Sequence, residues 1–480
     1  MAKAIDRFLR SSYDARGVVF VILFISIARM TLEAGSLTEV TLRQSYAKLY
    51  FFINWYLVLF FSFTVVLRLV ARLPFEKAAN PTTVGLLFGV VPPFVDGLVG
   101  KEPPEYVFFR SFEPFLTAEY QPIGESVVLW LLIAATILFA YYLTRSPARA
   151  AIGGVGAYIV LQLHGFAFVS VFTGSDLLSS DAETRRVLLA EFNLLVAFLI
   201  YVVWRGRALL PSIARVNHCA PHFMLALGGA AWAGCGVVDS VVKGAIVVSL
   251  FLVLLIHNDY YDQQEDRLSG RERLVTLDDV VWSSLFLFAL TFPMLRVNVL
   301  IVLLCAIGFL TGLLYHHPSV RLKERFCLAY KAEGVWAWLA FLIGVSSPSG
   351  FAGQHLVAAS LLVFGGGTLI SIPKDWKDVE ADRAARIPTY YVAFTRGGCD
   401  ERVIHRRIVT AVTLGLLVLP IGFIVWKGLS ALAVALLLSS LAPAVALLWV
   451  RDRKAAVEGM LWLVSGYLFL VAVMLRFHPG

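Results

Sequence analysis

The stretch VVSLFLVLLIHNDYYDQQEDR, residues 247–267, decides the reading of this chain. Ten apolar or small residues, Val247 to Ile256, run straight into a cluster of carboxylates. A second stretch, LISIPKDWKDVEADR at 369–383, repeats the pattern. Asp259, Asp262 and Asp266 followed by Arg267, and Asp375, Asp378 and Asp382 followed by Arg383, share the template D-x-x-D-x-x-x-D-R. Steps of three and four residues return to one face of a helix. Each cluster therefore reads as a stripe of three carboxylates at a helix end. Like charges so placed repel, and beside a membrane they are costly. Hard divalent ions offset them best, and Mg²⁺ in particular is held by a few carboxylates together with substrate phosphates. The expected ligand is a diphosphate held through Mg²⁺ between two facing acidic helices. Solvated loop charge is the plain alternative. Two copies with one spacing, in a chain this poor in acidic residues, argue against it.

Of the 480 residues, 59% are hydrophobic and only 15% charged. Apolar runs of roughly 17–23 residues recur, each able to cross a hydrocarbon core as a helix. The fold class is all-α: a polytopic membrane helix bundle of about fifteen spans. They are placed near 17–34, 50–70, 83–100, 125–145, 152–173, 187–204, 217–236, 241–257, 280–295, 298–315, 333–347, 355–373, 407–426, 428–450 and 457–475. Lys3, Arg7, Arg10 and Arg16 precede a run interrupted by Arg29, which reads as a retained first helix. The five cysteines are scattered and form no C-x-x-C, so neither a disulfide framework nor a zinc site is signalled.

Numbered alternately, the gaps on one side hold most of the Lys and Arg: Arg72 and Lys77, Arg145 and Arg149, Arg205, Arg207 and Arg215, Arg321, Lys323 and Arg325, Arg402 to Arg407, Arg451 to Lys454. By the positive-inside rule that side is cytoplasmic, the N-terminus included. This accounts for the net charge of +8 without nucleic acid. Both acidic clusters fall on the same side, as groups that work together must. The basic, proline-containing stretch at 205–216 divides a six-span module, 1–206, from a nine-span module, 207–480.

A membrane enzyme's natural diphosphate substrate carries a lipid tail. In a prenyl diphosphate, Mg²⁺ and nearby cations stabilise the departing pyrophosphate. The allylic carbocation must then be shielded from water until an acceptor attacks. The reading is transfer of a polyprenyl group to a small acceptor. A membrane terpene cyclase, which quenches the cation internally, is a second reading. A divalent-cation transporter is a third, disfavoured because transporter ligands sit near the midplane on broken helices.

Three motifs in order resemble the UbiA superfamily of intramembrane prenyltransferases. NDYYDQQED resembles its first acidic motif, LLYHHPSVRLKER its Tyr–Lys loop, and KDWKDVEADR before IPTYYVAF its second acidic motif. The likeness covers about 207–480. It implies nine helices, an active site near the cytoplasmic face and Mg²⁺ as cofactor. It makes Asn258, Asp259, Asp262 and Asp266 the first metal–diphosphate site, and Asp375, Asp378 and Asp382 the second. All six aspartates become catalytic metal ligands. Tyr315, Arg321 and Lys323 would close over the diphosphate, although residues of these types also anchor membrane interfaces. Lys374 and Lys377 either bind phosphate or balance the acidic helix. Arg215 stands where the family often has a basic residue facing the pocket, although Arg at a cytoplasmic helix end needs no special function. Three features depart from the pattern: RERLVTLDD after the first motif, Ala381 for the usual Gly, and His316 after Tyr315. No carboxylate is lost, so the departures bear on the acceptor: an aromatic or quinone precursor, or another polar lipid precursor.

Nothing in 1–205 resembles the family core. Arg29, Asp96, His164 and Glu191 are ionisable residues in or near apolar runs, functional candidates unless they pair or reach an interface. The Pro92–Pro93 pair should bend its helix or open a re-entrant turn. The Pro- and aromatic-rich stretch 101–124 reads as an interfacial segment. The module is expected to be a scaffold, with membrane lipids as its surroundings. The sequence leaves the oligomeric state open, including self-association through this module.

Overall fold

The computed structural model describes residues 13–33, 42–99, 123–163, 182–268, 274–294, 298–351, 356–385, 387–396, 398–427, 447, 450 and 452–477. The first part comprises α1 (Ala15–Glu33), α2 (Leu42–Ala71), α3 (Phe75–Leu86), a 3₁₀ turn (Leu87–Val90), α4 (Val91–Val99), α5 (Ile123–Thr144), α6 (Pro147–Leu163) and α7 (Ala182–Ile213). There follow α8 (Val216–Trp232), α9 (Val237–Tyr261), α10 (Gln263–Leu268), α11 (Leu277–Thr291), α12 (Val299–His316), α13 (Leu328–Val345) and α14 (Leu356–Lys374). The chain continues through α15 (Val379–Ala385), α16 (Tyr390–Arg396), α17 (Glu401–Lys427) and α18 (Arg453–Phe477).

Eight of the described helices are long and apolar enough to cross a membrane. The protein is an integral membrane protein built as a polytopic helical bundle. Most spans expected from the sequence coincide with a described helix; 83–100 instead covers the end of α3, the 3₁₀ turn and α4, and 428–450 lies almost wholly outside the described residues, as do 164–173, with His164, and most of 101–124. Phe20, Leu98, Leu138, Val203 and Val238 are exposed, as side chains facing lipid would be.

Local chemistry sets the breaks. Pro74 disfavours helix at Leu73 and takes the cap of α3, while Arg72 adopts a positive φ. Pro147 opens α6, where a missing N–H costs nothing. After α8 the Cys235 N–H returns to the Ala230 carbonyl and Gly234 takes φ +70°, a left-handed helix end that glycine adopts without strain.

The chain divides into two compact units, 1–206 with 284–293, and 207–283 with 294–480. The second half of α11 groups with the first unit. Its aromatic residues find partners in the first unit: Phe286 stacks on Phe61 at 6.0 Å and Phe292 on Tyr50 at 5.7 Å. In that unit Arg29 is buried, donating to the Tyr56 hydroxyl at 3.3 Å and lying 5.1 Å from the Phe52 ring centroid. Asp96 accepts the Gly124 N–H at 2.8 Å, capping α5. The Pro92–Pro93 pair lies in the first turn of α4, directly after the 3₁₀ turn. Glu191 is exposed on α7.

In the second unit α13 is the central helix. A side chain added at Gly344 would meet the Ala226 carbonyl of α8 at 2.2 Å, and one at Gly229 of α8 would meet the Phe341 carbonyl at 2.4 Å. On another face, Gly334 of α13 and Gly367 of α14 pack close, where a Cβ on Gly367 would lie 2.6 Å from the Ala337 side chain. Small residues let membrane helices approach backbone to backbone. At the far end of α13, buried Lys243 of α9 donates to the Gly344 and Ser346 carbonyls at 3.2 and 2.8 Å and pairs with Asp239 at 2.8 Å. Its charge thus meets the carbonyl end of a helix.

Gly344→Val puts branched carbon against backbone that cannot yield. It should destabilise the detergent-solubilised protein by about 1–3 kcal/mol, read as a lower thermal midpoint. Gly366→Ala, whose added methyl has only Leu416 at 4.0 Å, should leave the midpoint unchanged.

Candidate active site

Helix direction alternates through the second unit. The starts of α8, α13 and α18 and the ends of α9, α12 and α14 all supply lining residues to one end of a cavity of about 1120 Å³. Arg215, Asn217, Asn258, Asp262, Asp266, Tyr315, Lys323, Tyr330, Lys374, Asp375, Lys377, Asp378 and Asp382 all line it. Farther in, the walls are apolar: Leu225, Phe251, Trp336, Phe341, Leu362 and Trp232. On α8 the lining runs from Asn217 to Trp232 and on α14 from Ala359 to Lys374. At 1.5 Å per residue each wall is roughly 22 Å long.

The first acidic stripe is not one face of one helix. Helix α9 stops at Tyr261, and Asp262 leaves helical geometry with φ −95° and ψ 10°. Asp259, on the last turn of α9, is fully buried and does not line the cavity. Its carboxylate pairs with Arg215 at 2.6 Å and accepts a hydrogen bond from the Ser212 hydroxyl. A buried carboxylate needs a partner, and the guanidinium at the start of α8 supplies one. Asp262 pairs with Lys323 at 2.5 Å. Burial pushes the Asp262 carboxyl up and the Lys323 ammonium down, and each charge opposes the other's shift. Asp266 follows on α10 and lines the cavity.

The second stripe begins as a 3₁₀ turn, Asp375–Asp378, and continues into α15 with Asp382. All three carboxylates line the cavity. Asp375 accepts a hydrogen bond from the Tyr330 hydroxyl at 2.7 Å, and that hydroxyl in turn accepts the Tyr390 N–H at 3.1 Å. Burial raises the Asp375 pKa to about 6 against the pull of Lys374 and Tyr330. Asp382 is pushed up to about 8, first by burial and then by Asp375 and Asp378. Lys374 forms an ion pair with Glu333 of α13.

Arg321 stands directly before the 3₁₀ turn Leu322–Glu324. It takes a left-handed conformation, φ 46°, pairs with Glu324 at 2.9 Å, and does not line the cavity. Lys323 is the cation of that loop that does.

Tyr330, Glu333, Ser212, His218 and His222 escaped the sequence reading. For Glu333 a signal existed, since it is an acid inside an apolar run. The two histidines lie in the span 217–236 and called for the same notice. Ser212 carried no signal.

Among the described residues no three His, Cys, Asp or Glu side chains converge tightly enough to hold a metal ion by themselves.

Comparison with solved structures finds a UbiA homolog from Archaeoglobus fulgidus bound to DMAPP and Mg²⁺, at 16% identity and TM-score 0.41, covering 56% of this chain and 98% of that one. The same homolog bound to GPP and Mg²⁺ matches at 15% and 0.42, covering 57% and 99%. A digeranylgeranylglyceryl phosphate synthase matches at 16% and 0.40, covering 57% and 99%. Likeness of this degree carries no inference about the chemistry of this chain. Comparison with curated proteins gives no match. The model of the UbiA prenyltransferase family matches residues 222–470, more than half of the 480-residue chain and the stretch that contains both acidic motifs and the loop between them. The chain belongs to the UbiA prenyltransferase family and is a membrane prenyltransferase.

Proposed function

We propose that the protein moves a polyprenyl group from an allylic prenyl diphosphate to a small acceptor, releasing pyrophosphate, with Mg²⁺ as cofactor. One observation carries this reading: a single cavity joins a charged end, with Lys323, Lys374 and Lys377 among five aspartates, to a long apolar chamber. A diphosphate with a hydrocarbon tail has that same division.

The residues fit a hard divalent ion. Asp262, Asp375, Asp378 and Asp382 offer oxygen donors at one end of the cavity, and burial and mutual repulsion keep Asp382 far above the usual carboxylate range. A cation there relieves both effects. Mg²⁺ keeps part of its coordination for substrate phosphates. Bound Mg²⁺ would offset charge on the diphosphate as it departs. Those four aspartates would hold the ion. Lys323, Lys374 and Lys377 would reach phosphate oxygens, with Asn258 and Asp266 beside them. Arg215 is held by Asp259 at the rim.

Just inside the charged end lie linked rings. Tyr315 and Trp336 are 5.1 Å apart, Phe251 and Trp336 are 6.0 Å apart, and His222 stacks on Phe251 at 3.7 Å. Their faces would attract an allylic cation and exclude water from it. The apolar walls would take the tail. The acceptor is read as an aromatic or quinone precursor, or another polar lipid precursor. The excess of Lys and Arg on this side supports a reading in which the site, and the N-terminus, face the cytoplasm. The first unit is read as an auxiliary scaffold, since the proposed diphosphate-binding set lies wholly in the second.

Asp375→Asn and Asp378→Asn should each lower Mg²⁺-dependent pyrophosphate release from an allylic diphosphate by about 100-fold or more, near 3 kcal/mol in barrier. EDTA should abolish release, and Mg²⁺ should restore it. Undiminished release in both variants would contradict the assignment of the charged end.

Lys323→Ala should weaken binding of a prenyl diphosphate by about tenfold, the loss of one charge-assisted contact. Arg321→Ala should change it little. The two dissociation constants, measured by titration calorimetry with Mg²⁺ present, decide whether the loop acts through Lys323.

A further inference from the structure

His218 and His222 stand one turn apart on α8, and both line the cavity. His222 has a fixed ring. It stacks on Phe251 with centroids 3.7 Å apart and planes 26° apart. Its Nδ1 lies 3.2 Å from the His218 carbonyl oxygen. A carbonyl oxygen can only accept, so Nδ1 carries the proton. A neutral imidazole then presents its lone pair at Nε2. His222 is half-buried and remains open to the chamber. It lies two turns inward of Arg215, roughly 10 Å along the helix. Its electrostatic neighbours are Glu333 of α13 and Lys374 of α14, the ion pair at the inner edge of the charged end. An imidazole base is thus placed where the charged end gives way to the apolar chamber.

The reactive carbon of a prenyl diphosphate sits at that junction, because it joins the diphosphate to the tail. We propose that His222 Nε2 is the general base that takes the proton from the acceptor as the new bond forms. This rests on the prenyl-transfer reading above. The allylic C–O bond breaks with its electron pair on the diphosphate. The acceptor atom bonds to the allylic carbon, and the acceptor's proton passes to Nε2, leaving an imidazolium. That proton then returns to water when the product leaves. Neither the lysines nor the four aspartates assigned to the ion serve this role: the lysines donate, and those carboxylates are committed to the cation.

The test separates transfer from binding. Membranes of the source organism lacking their own copy of the chain receive the wild type, His222→Ala or His222→Gln. They are incubated with Mg²⁺ and a radiolabelled allylic diphosphate, and label is counted in extracted lipid. Binding of the non-cleavable thiodiphosphate analogue is measured on the purified proteins. Both variants should transfer about 100-fold less label, as loss of a general base does. Their affinity for the thiodiphosphate should stay within about threefold of wild type, and added imidazole should restore part of the transfer in His222→Ala. Transfer at the wild-type rate in either variant overturns the assignment. So does loss of thiodiphosphate binding in step with transfer, which would make His222 a packing residue. Absence of labelled lipid with the wild type would refute the transfer reading itself, and the assignment with it. A defect confined to the assignment leaves wild-type labelling intact.

Discussion

Carboxylates gathered at the end of a membrane bundle must be compensated. Asp262, Asp375, Asp378 and Asp382 line one end of one cavity, where water is scarce and like charges repel. Lys323 answers Asp262 directly, and Lys374 stands beside Asp375 while held by Glu333. The Tyr330 hydroxyl steadies Asp375. These partners come from α13, α14 and the loop after α12, so the charged end exists only once those elements are assembled.

Packing elsewhere in the same unit keeps the chamber open. Helix α13 meets α8 and α14 at glycines, with backbone nearly touching backbone. Tight contact at a few points fixes the helices, so their walls can stand apart along the rest of the cavity without collapse. Lys243 ties the other end of α13 to α9 through two carbonyls of buried residues, which would otherwise lose a partner.

The first unit meets the same constraint locally. Buried Arg29 is satisfied by the Tyr56 hydroxyl and the Phe52 ring, and Asp96 by the Gly124 N–H. Ionisable residues in apolar runs are functional candidates by default, yet here two of the candidates act as structural ties. Arg29 anchors α1 to α2, and Asp96 caps α5.

The sequence by itself determined the class of the protein and the outline of its site. Apolar runs of spanning length leave few options but helices, because backbone groups in hydrocarbon must bond within their own segment. Charge parity gave both acidic motifs one expected face, and their spacing singled out six aspartates, of which Asp262, Asp266, Asp375, Asp378 and Asp382 line the cavity. Spacing did not determine what each carboxylate faces. Asp259 and Asp262 share a motif, but the helix ends between them, and one turns into an ion pair with Arg215 while the other lines the cavity. Arg321 and Lys323 are two residues apart, and a left-handed turn sends only the lysine inward. Tyr330, Glu333 and His222 acquire their surroundings from other helices, far away in sequence. Periodicity reports the face a residue occupies on its own helix, and only the packing of helices decides what that face meets.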